Sequence, residues 1–337
     1  MTLKQKISAW IALSLILQLA VLFYIDYYFL GGSGNVITQT QQMFQFGSYK
    51  LPNGASNIKV SHDAVFVSFN IAGKLNFADI KSKKDVYQLE VEGYALSFYK
   101  WLPDRNRVIA IFGTRDNKSI RCKVYAYDCD NKTEMKIQEI NDLPSDCKVE
   151  DIRFSTLTNI IYLSMRCKDG PILYRIGIMG DKTRVYPRVK NFANLQQCNL
   201  KDIVLYEDPR SKNIYVQEGP EAWTVTLKKG AYLIGIDMDD NIYIAEDDQG
   251  KCSTVRHGKL STKFAEWNSI DLGTSISPQD IIFQYNGEVF IKDEKQNFLQ
   301  KVSNGSKTVY TGELLELHDD FIVSLDKGKI KIVPLNV

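Results

Sequence analysis

The chain has 337 residues, 42 of them basic and 40 acidic, for a net charge of +2. That balance offers no basic patch of the kind nucleic-acid binding needs. With 44% hydrophobic residues, 11% aromatic residues and only nine prolines, the composition excludes a disordered chain and requires a packed core.

The first predicted element is the run Ile7 to Ile25, which carries no charge. A helix of that length reaches ~28 Å, close to the hydrocarbon thickness of a bilayer. Lys4 and Lys6 precede it and Asp26 follows it, with no further positive residue until Lys50. This asymmetry places the N-terminus in the cytoplasm and the remainder outside. Trp10 near one end, and Tyr24, Tyr27, Tyr28 and Phe29 at the other, stand where interfacial rings gather. The chain then reads as a cytoplasmic tail (1–6), a transmembrane signal-anchor helix (7–30), a polar linker (31–42) and an extracytoplasmic domain (43–337) in a single-pass cell-membrane protein. A cleaved signal peptide is the competing reading. Its apolar core is usually about 7–15 residues, and this run is longer and ends in bulky aromatics.

MFQFGSYKL (43–51) reads as a lone strand before a turn at Pro52, Asn53 and Gly54. A repeat follows: an apolar strand, a turn rich in Asp, Asn or Gly, and a second apolar strand. Its copies are 58–69, 98–112, 151–165, 202–217, 233–246, 280–293 and 314–325. Two share a longer match, Cys147-Lys-Val-Glu-Asp-Ile and Cys198-Asn-Leu-Lys-Asp-Ile. The mean spacing is about 43 residues, within the ~40–50 of four-stranded propeller blades. No later run combines helical periodicity with helical length. The fold class is therefore all-β, a seven-bladed β-propeller with six or eight blades as neighbouring alternatives. The last unit offers only three strands, ELLEL, DFIVSL and KIKIVPL. An unpaired edge is a liability, so 43–51 is expected to supply the fourth strand and close the ring.

Six cysteines, an even number, suit an oxidising compartment. Cys122 and Cys129 bracket a strand-like KVYAYD that would span ~23 Å, too far for the two to pair with each other. The remaining connectivity is open.

At WLPDRNRVIAIF (101–112), Trp101, Pro103 and Asp104 before an apolar strand resemble the W-x-P-D-G-x-x-I turn of TolB-like propellers and of the propeller in prolyl-peptidase-type proteins. Arg105 replaces the glycine that family prefers, and the other units lack the Trp-Pro-Asp form. An anchor followed by a propeller is also similar to membrane proteins of low-GC Gram-positive bacteria. What the resemblance implies is the architecture, since propellers host many unrelated functions.

Candidate chemistry is sparse. His62 and His318 fall at equivalent turn positions of two repeats, which is what a structural role predicts, and His257 stands beside a glycine at a strand end. The chain has no G-x-S-x-G, H-E-x-x-H or phosphate-cradling G-x-x-x-x-G-K-[ST]. Asp237, Asp239, Asn241 and Asp248 match four places of a calcium loop, but Ile242 occupies the place that needs glycine, so a hairpin turn is the better account. Lys182, Arg184, Arg188 and Lys190 around Tyr186 read as the solvated side of a strand. Asn117, Asn131 and Asn304 begin glycosylation-type triplets that short polar turns also generate by chance. No residue is assigned a catalytic, cofactor-binding or metal-ligating role, and no cofactor is implied. The leading reading is an extracytoplasmic binding or scaffold module whose partner, a protein, wall polymer or peptide, meets one propeller face. The alternatives are a hydrolase or lyase acting on cell-wall sugars or peptides, and the sensor subunit of a membrane complex.

Overall fold

A computed structural model describes residues 47–335, apart from 117–118, 178, 220 and 226–229, together with Gln5, Trp10, Ser14, Leu17 and Gln18, which are helical. The expected anchor 7–30 and linker 31–42 otherwise lie outside the described residues. Among those described, no helix is long and apolar enough to cross a membrane.

Seven four-stranded antiparallel sheets follow one another along the chain. Blade 1 comprises Ser56–Val60, Phe66–Ile71, Lys74–Asp79 and Asp85–Leu89. Blade 2 comprises Ala95–Trp101, Arg107–Arg115, Ser119–Asp128 and Thr133–Pro144. Blade 3 is Lys148–Ser155, Ile160–Cys167, Gly170–Gly177 and Lys182–Val185. Blade 4 is Ala193–Gln197, Ile203–Glu207, Ile214–Glu218 and Glu221–Val225. Blade 5 contains Ala231–Ile236, Ile242–Glu246, Cys252–Gly258 and Asn268–Ile276, and blade 6 contains Ile281–Phe283, Val289–Asp293, Phe298–Lys301 and Lys307–Val309. Blade 7 takes Glu313–Leu317, Phe321–Asp326 and Lys329–Pro334 from the C-terminus and Ser48–Lys50 from the other end of the domain.

First strands of successive blades from 1 to 6 touch one another, as do those of blades 7 and 1, so they line a hub. The core consists of layers between blades. Phe77, Tyr99 and Phe112 fill the layer between blades 1 and 2, and Ile111, Val124, Ile152 and Leu163 that between blades 2 and 3. Second strands such as Phe66–Ile71 and Ile160–Cys167 are buried over most of their length, which is why they read as continuous apolar runs.

The strand expected at 43–51 is Ser48–Lys50, which pairs antiparallel with Lys329–Lys331. Tyr49 is buried there and stacks on Phe69 of blade 1 at 6.3 Å between centroids. Residues 43–46 lie outside the described residues.

One expected repeat is corrected. In six units the apolar hairpin joins first and second strands, but 202–217 holds the second and third strands of blade 4. The first strand of that blade is Ala193–Gln197, whose sequence ANLQQ is too polar to read as a repeat strand. The Cys147 and Cys198 segments are accordingly not equivalent: Cys147 precedes a first strand, and Cys198 follows one. Cys147 bonds to Cys167, stapling the first two strands of blade 3, while Cys122, Cys129, Cys198 and Cys252 are buried thiols.

Candidate functional site

Turns between first and second strands all emerge on one face around the hub, and each is tied to a neighbour. Asn106 Nδ2 donates to Asp63 Oδ2 at 2.8 Å, joining blades 2 and 1. Ser155 Oγ donates to the Asn199 carbonyl at 2.7 Å, joining blades 3 and 4. Between blades 4 and 5, Asn199 Nδ2 donates to the Asp237 carbonyl at 2.9 Å, and Asp240 accepts from the amides of Asn199 and Leu200 at 2.5 and 3.1 Å. Asp240 holds φ of 62°, a left-handed turn position that Asp and Asn tolerate. The Met238 amide donates to the Tyr285 carbonyl at 3.0 Å, joining blades 5 and 6, and Gln284 Nε2 donates to the His318 carbonyl, joining 6 and 7. The turn face is thus a preorganised platform rather than a set of independent loops.

Three consecutive turns of that platform present apolar side chains to solvent. Leu157 is 60% exposed, Leu200 55% and Met238 44%. Single exposed apolar residues are ordinary, but these three stand on successive turns bonded to one another. Acids stand beside them. Tyr285 is pushed up to about 12, first by burial and then by the carboxylates of Asp104, Asp240, Asp319 and Asp237.

Below this rim a cavity of ≈ 160 Å³ enters the hub, walled chiefly by Trp101, Leu102, Ile152, Phe154, Ile236 and Tyr285. Lys100, Arg153, Gln196 and Gln197 contribute its polar lining. Along each first strand these basic residues come before the turn, so the charged groups lie deeper than the apolar wall. Arg153 Nε lies 2.7 Å from Asp151 Oδ2, and Lys100 Nζ lies 3.7 Å from Asp151 Oδ1 and donates to the Ile152 carbonyl at 3.3 Å. Lys59 Nζ meets Glu316 Oε1 at 3.4 Å, and the Val60 amide donates to Glu316 Oε2 at 2.8 Å. Burial and the adjacent Arg153 bring the Lys100 amine down to about 8; its side chain is 38% exposed, but to a channel walled by protein. Burial alone would push the Glu316 carboxyl up, yet His318, Lys59 and the Val60 amide hold it below its ordinary value.

The structure disperses the three histidines. His318 follows the first strand of blade 7, stacked on Phe321 at 4.4 Å and 3.6 Å from Glu316. By backbone pairing its equivalent in blade 1 is Ser61, so His62 stands one residue further into its turn, a correction of the expected equivalence. His257 belongs to the third strand of blade 5 and stacks on Tyr243 at 4.9 Å. Asp237 caps its own hairpin, accepting from the amides of Asp239 and Asn241 at 3.0 and 2.8 Å, while Ile242 opens a strand. Lys182 and Arg184 lie on the exposed fourth strand of blade 3, with Arg184 over the Tyr186 ring at 5.1 Å; Arg188 and Lys190 lie beyond that strand. Trp101 of the Trp-Pro-Asp turn donates its indole N–H to Ser68 Oγ at 2.8 Å, bracing blade 2 on blade 1.

Sequence reasoning missed the channel cations. Lys59-Val60, Lys100-Trp101 and Arg153-Phe154 occupy the same place in three successive first strands, a basic residue and then a large apolar one before the turn. Aligning the repeats on their turns would have exposed that signal.

No family model matches the chain, and no curated protein matches it. Among solved structures it is similar to the β-propeller domain of Cps50 (Swd1) from Myceliophteria thermophila, with a TM-score of 0.55 at 10% identity, covering 85% of this chain and 98% of that one. It is also similar to Hsv2 from Kluyveromyces lactis, with a TM-score of 0.50 at 11% identity, covering 81% and 89%. At such identity the likeness concerns the fold: the chain carries a seven-bladed β-propeller.

Proposed function

We propose that the chain is a binding and scaffold module that meets a protein partner through the turn face around Leu157, Leu200 and Met238. The observation that carries this reading is the exposure of those three side chains on turns held together blade to blade. A patch fixed before contact loses little conformational entropy on association, which favours a docking role. The setting belongs to the same proposal: residues 1–6 inside the cell, 7–30 in the membrane, and the propeller outside, as the lysines before the apolar run and the aspartate after it suggest.

Crosslinking in the native membrane tests the partner. A triple variant with Leu157→Asp, Leu200→Asp and Met238→Asp should lose the crosslinked product. Met135→Asp, at an exposed position on the fourth strand of blade 2, should keep it. A product that survives the triple change would remove the turn face from consideration. Protease added to intact, wall-stripped cells should digest the propeller; digestion only after membrane rupture would reverse the orientation.

A further inference from the structure

We propose that the cavity at the hub is a ligand site for one α-carboxylate, carried with its α N–H on an apolar residue. The ligand is either the C-terminal residue of a polypeptide or a free apolar amino acid. Three features of the channel select that chemistry together.

The first is charge. Lys59, Lys100 and Arg153 come from the first strands of blades 1, 2 and 3 and share two carboxylates, Glu316 and Asp151. Glu316 also accepts from a backbone amide and faces His318, and Asp151 is divided between Arg153 and Lys100. Lys100 is left with a long carboxylate contact and one carbonyl. The charged groups that act on it most strongly are Arg153, Asp151, Lys59 and Glu316, so with Lys100 itself three cations at the floor face two carboxylates. A carboxylate supplies the missing partner.

The second is size and wall. A cavity of ≈ 160 Å³ is close to the ~150 Å³ of an engineered apolar cavity that holds one benzene ring. It therefore accommodates a single side chain of the valine-to-phenylalanine class, and Leu102, Ile152, Phe154 and Ile236 give it an apolar surface to meet.

The third is an orphan acceptor. Gln197 lines the cavity and is 8% exposed. Its amide nitrogen is committed to the Ile160 carbonyl at 3.1 Å, which fixes the orientation of the group. Its Oε1 accepts no hydrogen bond from the described residues. A buried acceptor without a donor is costly, and a ligand whose α N–H reaches it relieves that cost. The acids around Tyr285 agree with this polarity, since they disfavour a bound carboxylate at the mouth relative to the cationic floor.

The test is calorimetric titration of the purified full-length protein with tetrapeptides Gly-Ser-Gly-X, where X is Val, Leu or Phe, as free acids and as C-terminal amides. Free phenylalanine and 3-phenylpropionate complete the set. At least one free-acid peptide, or phenylalanine, should bind. Amidation of the peptide should weaken binding at least about tenfold, as loss of a charge-assisted contact does. 3-Phenylpropionate, which lacks the N–H, should bind more weakly than phenylalanine. Lys100→Met should lower affinity for the free acids at least about tenfold without lowering the melting temperature, and it should erase the difference between acid and amide. Phenylalanine binding as tightly as the peptide identifies a free amino acid as the source; binding by the peptides alone identifies a partner's C-terminus. Equal affinity for acid and amide, or no binding by any probe, overturns the assignment. The titration uses no cellular partner, so its failure leaves the turn-face reading standing, and the crosslinking result leaves this one standing.

Discussion

The closing strand makes the sharpest quantitative prediction. Tyr49→Ala removes the one buried side chain of Ser48–Lys50, which joins blade 7 to the sequence start of the propeller. The strand is short: beyond its ladder it is tied by the Leu51 amide to the Gly328 carbonyl at 3.0 Å and the Ile332 amide to the Gly47 carbonyl at 3.2 Å. The ring of Tyr49 packs on Phe69, so its loss opens a void between blades 7 and 1. Large aromatic-to-alanine changes in cores cost about 3–5 kcal/mol, and the low end suits a residue on a short outer strand. With an unfolding entropy of about 2.1 cal/mol/K per residue over about 290 residues, ~3 kcal/mol corresponds to a drop of about 5 °C in melting temperature. Lys50→Ala, on the exposed side of the same strand, should shift it by less than about 1 °C. Deleting 43–51 should destabilise the propeller far more than deleting 31–42. Differential scanning calorimetry of the four variants against the parent decides the matter. A Tyr49→Ala protein melting within about 1 °C of the parent, or two deletions with equal melting temperatures, would refute closure by this strand.

Two further outcomes are expected. Replacing Cys147 and Cys167 by serine opens a loop with a sequence separation of 20 and should cost about 3 kcal/mol in denaturant unfolding, whereas Cys122→Ser, which breaks no crosslink, should not reproduce that loop-entropy loss. For Lys100, the folded-state value of about 8 lies below the ordinary 10.5, so between those limits the unfolded chain binds more protons and stability rises with pH. The penalty of holding the ammonium in the channel is fully present below about pH 8 and fades toward pH 10.5. Urea midpoints of the parent should therefore gain on those of Lys100→Met across that window, and parallel curves would contradict the burial of the amine among Arg153, Lys59, Asp151 and Glu316.

How much of this was legible in the sequence follows from which surfaces each strand meets. Second strands are covered on both faces, so runs such as Val108–Phe112 are apolar and visible, and their spacing yields seven units. First strands border the hub and answer to it. Ala193–Gln197 is polar because Gln196 and Gln197 line the cavity, and that polarity hid the true start of blade 4 behind a hairpin of the same appearance. The turn-face patch was hidden for another reason. Leu157, Leu200 and Met238 are each an ordinary turn residue in sequence, some forty residues apart, and only the stacking of successive blades brings their turns together. The disulfide was illegible because the register that sets Lys148 opposite Arg166, and so Cys147 opposite Cys167, depends on a bulge between Val149 and Asp151.

The hub is polarised because its seven first strands differ at one equivalent position. The residue two places before each turn's first residue is Lys59, Lys100, Arg153, Gln196, Gly235, Ile282 and Glu316 in blade order. Three cations therefore stand side by side, three neutral residues face them, and one acid closes the circle next to the first cation. A ring whose blades were interchangeable would spread its charge evenly; this one concentrates it on blades 1 to 3. The acid stands at the seam where the ends of the propeller meet. There Glu316 reaches across to Lys59 and the Val60 amide at the hub, while Tyr49 reaches across to Phe69 farther out. The seam is thus fastened at two radii by different physics, an ion pair with a backbone hydrogen bond inside and an aromatic stack outside. Because Glu316 is spent on the seam, it is not free to neutralise Lys100, and the excess charge in the channel follows from how the ring is closed.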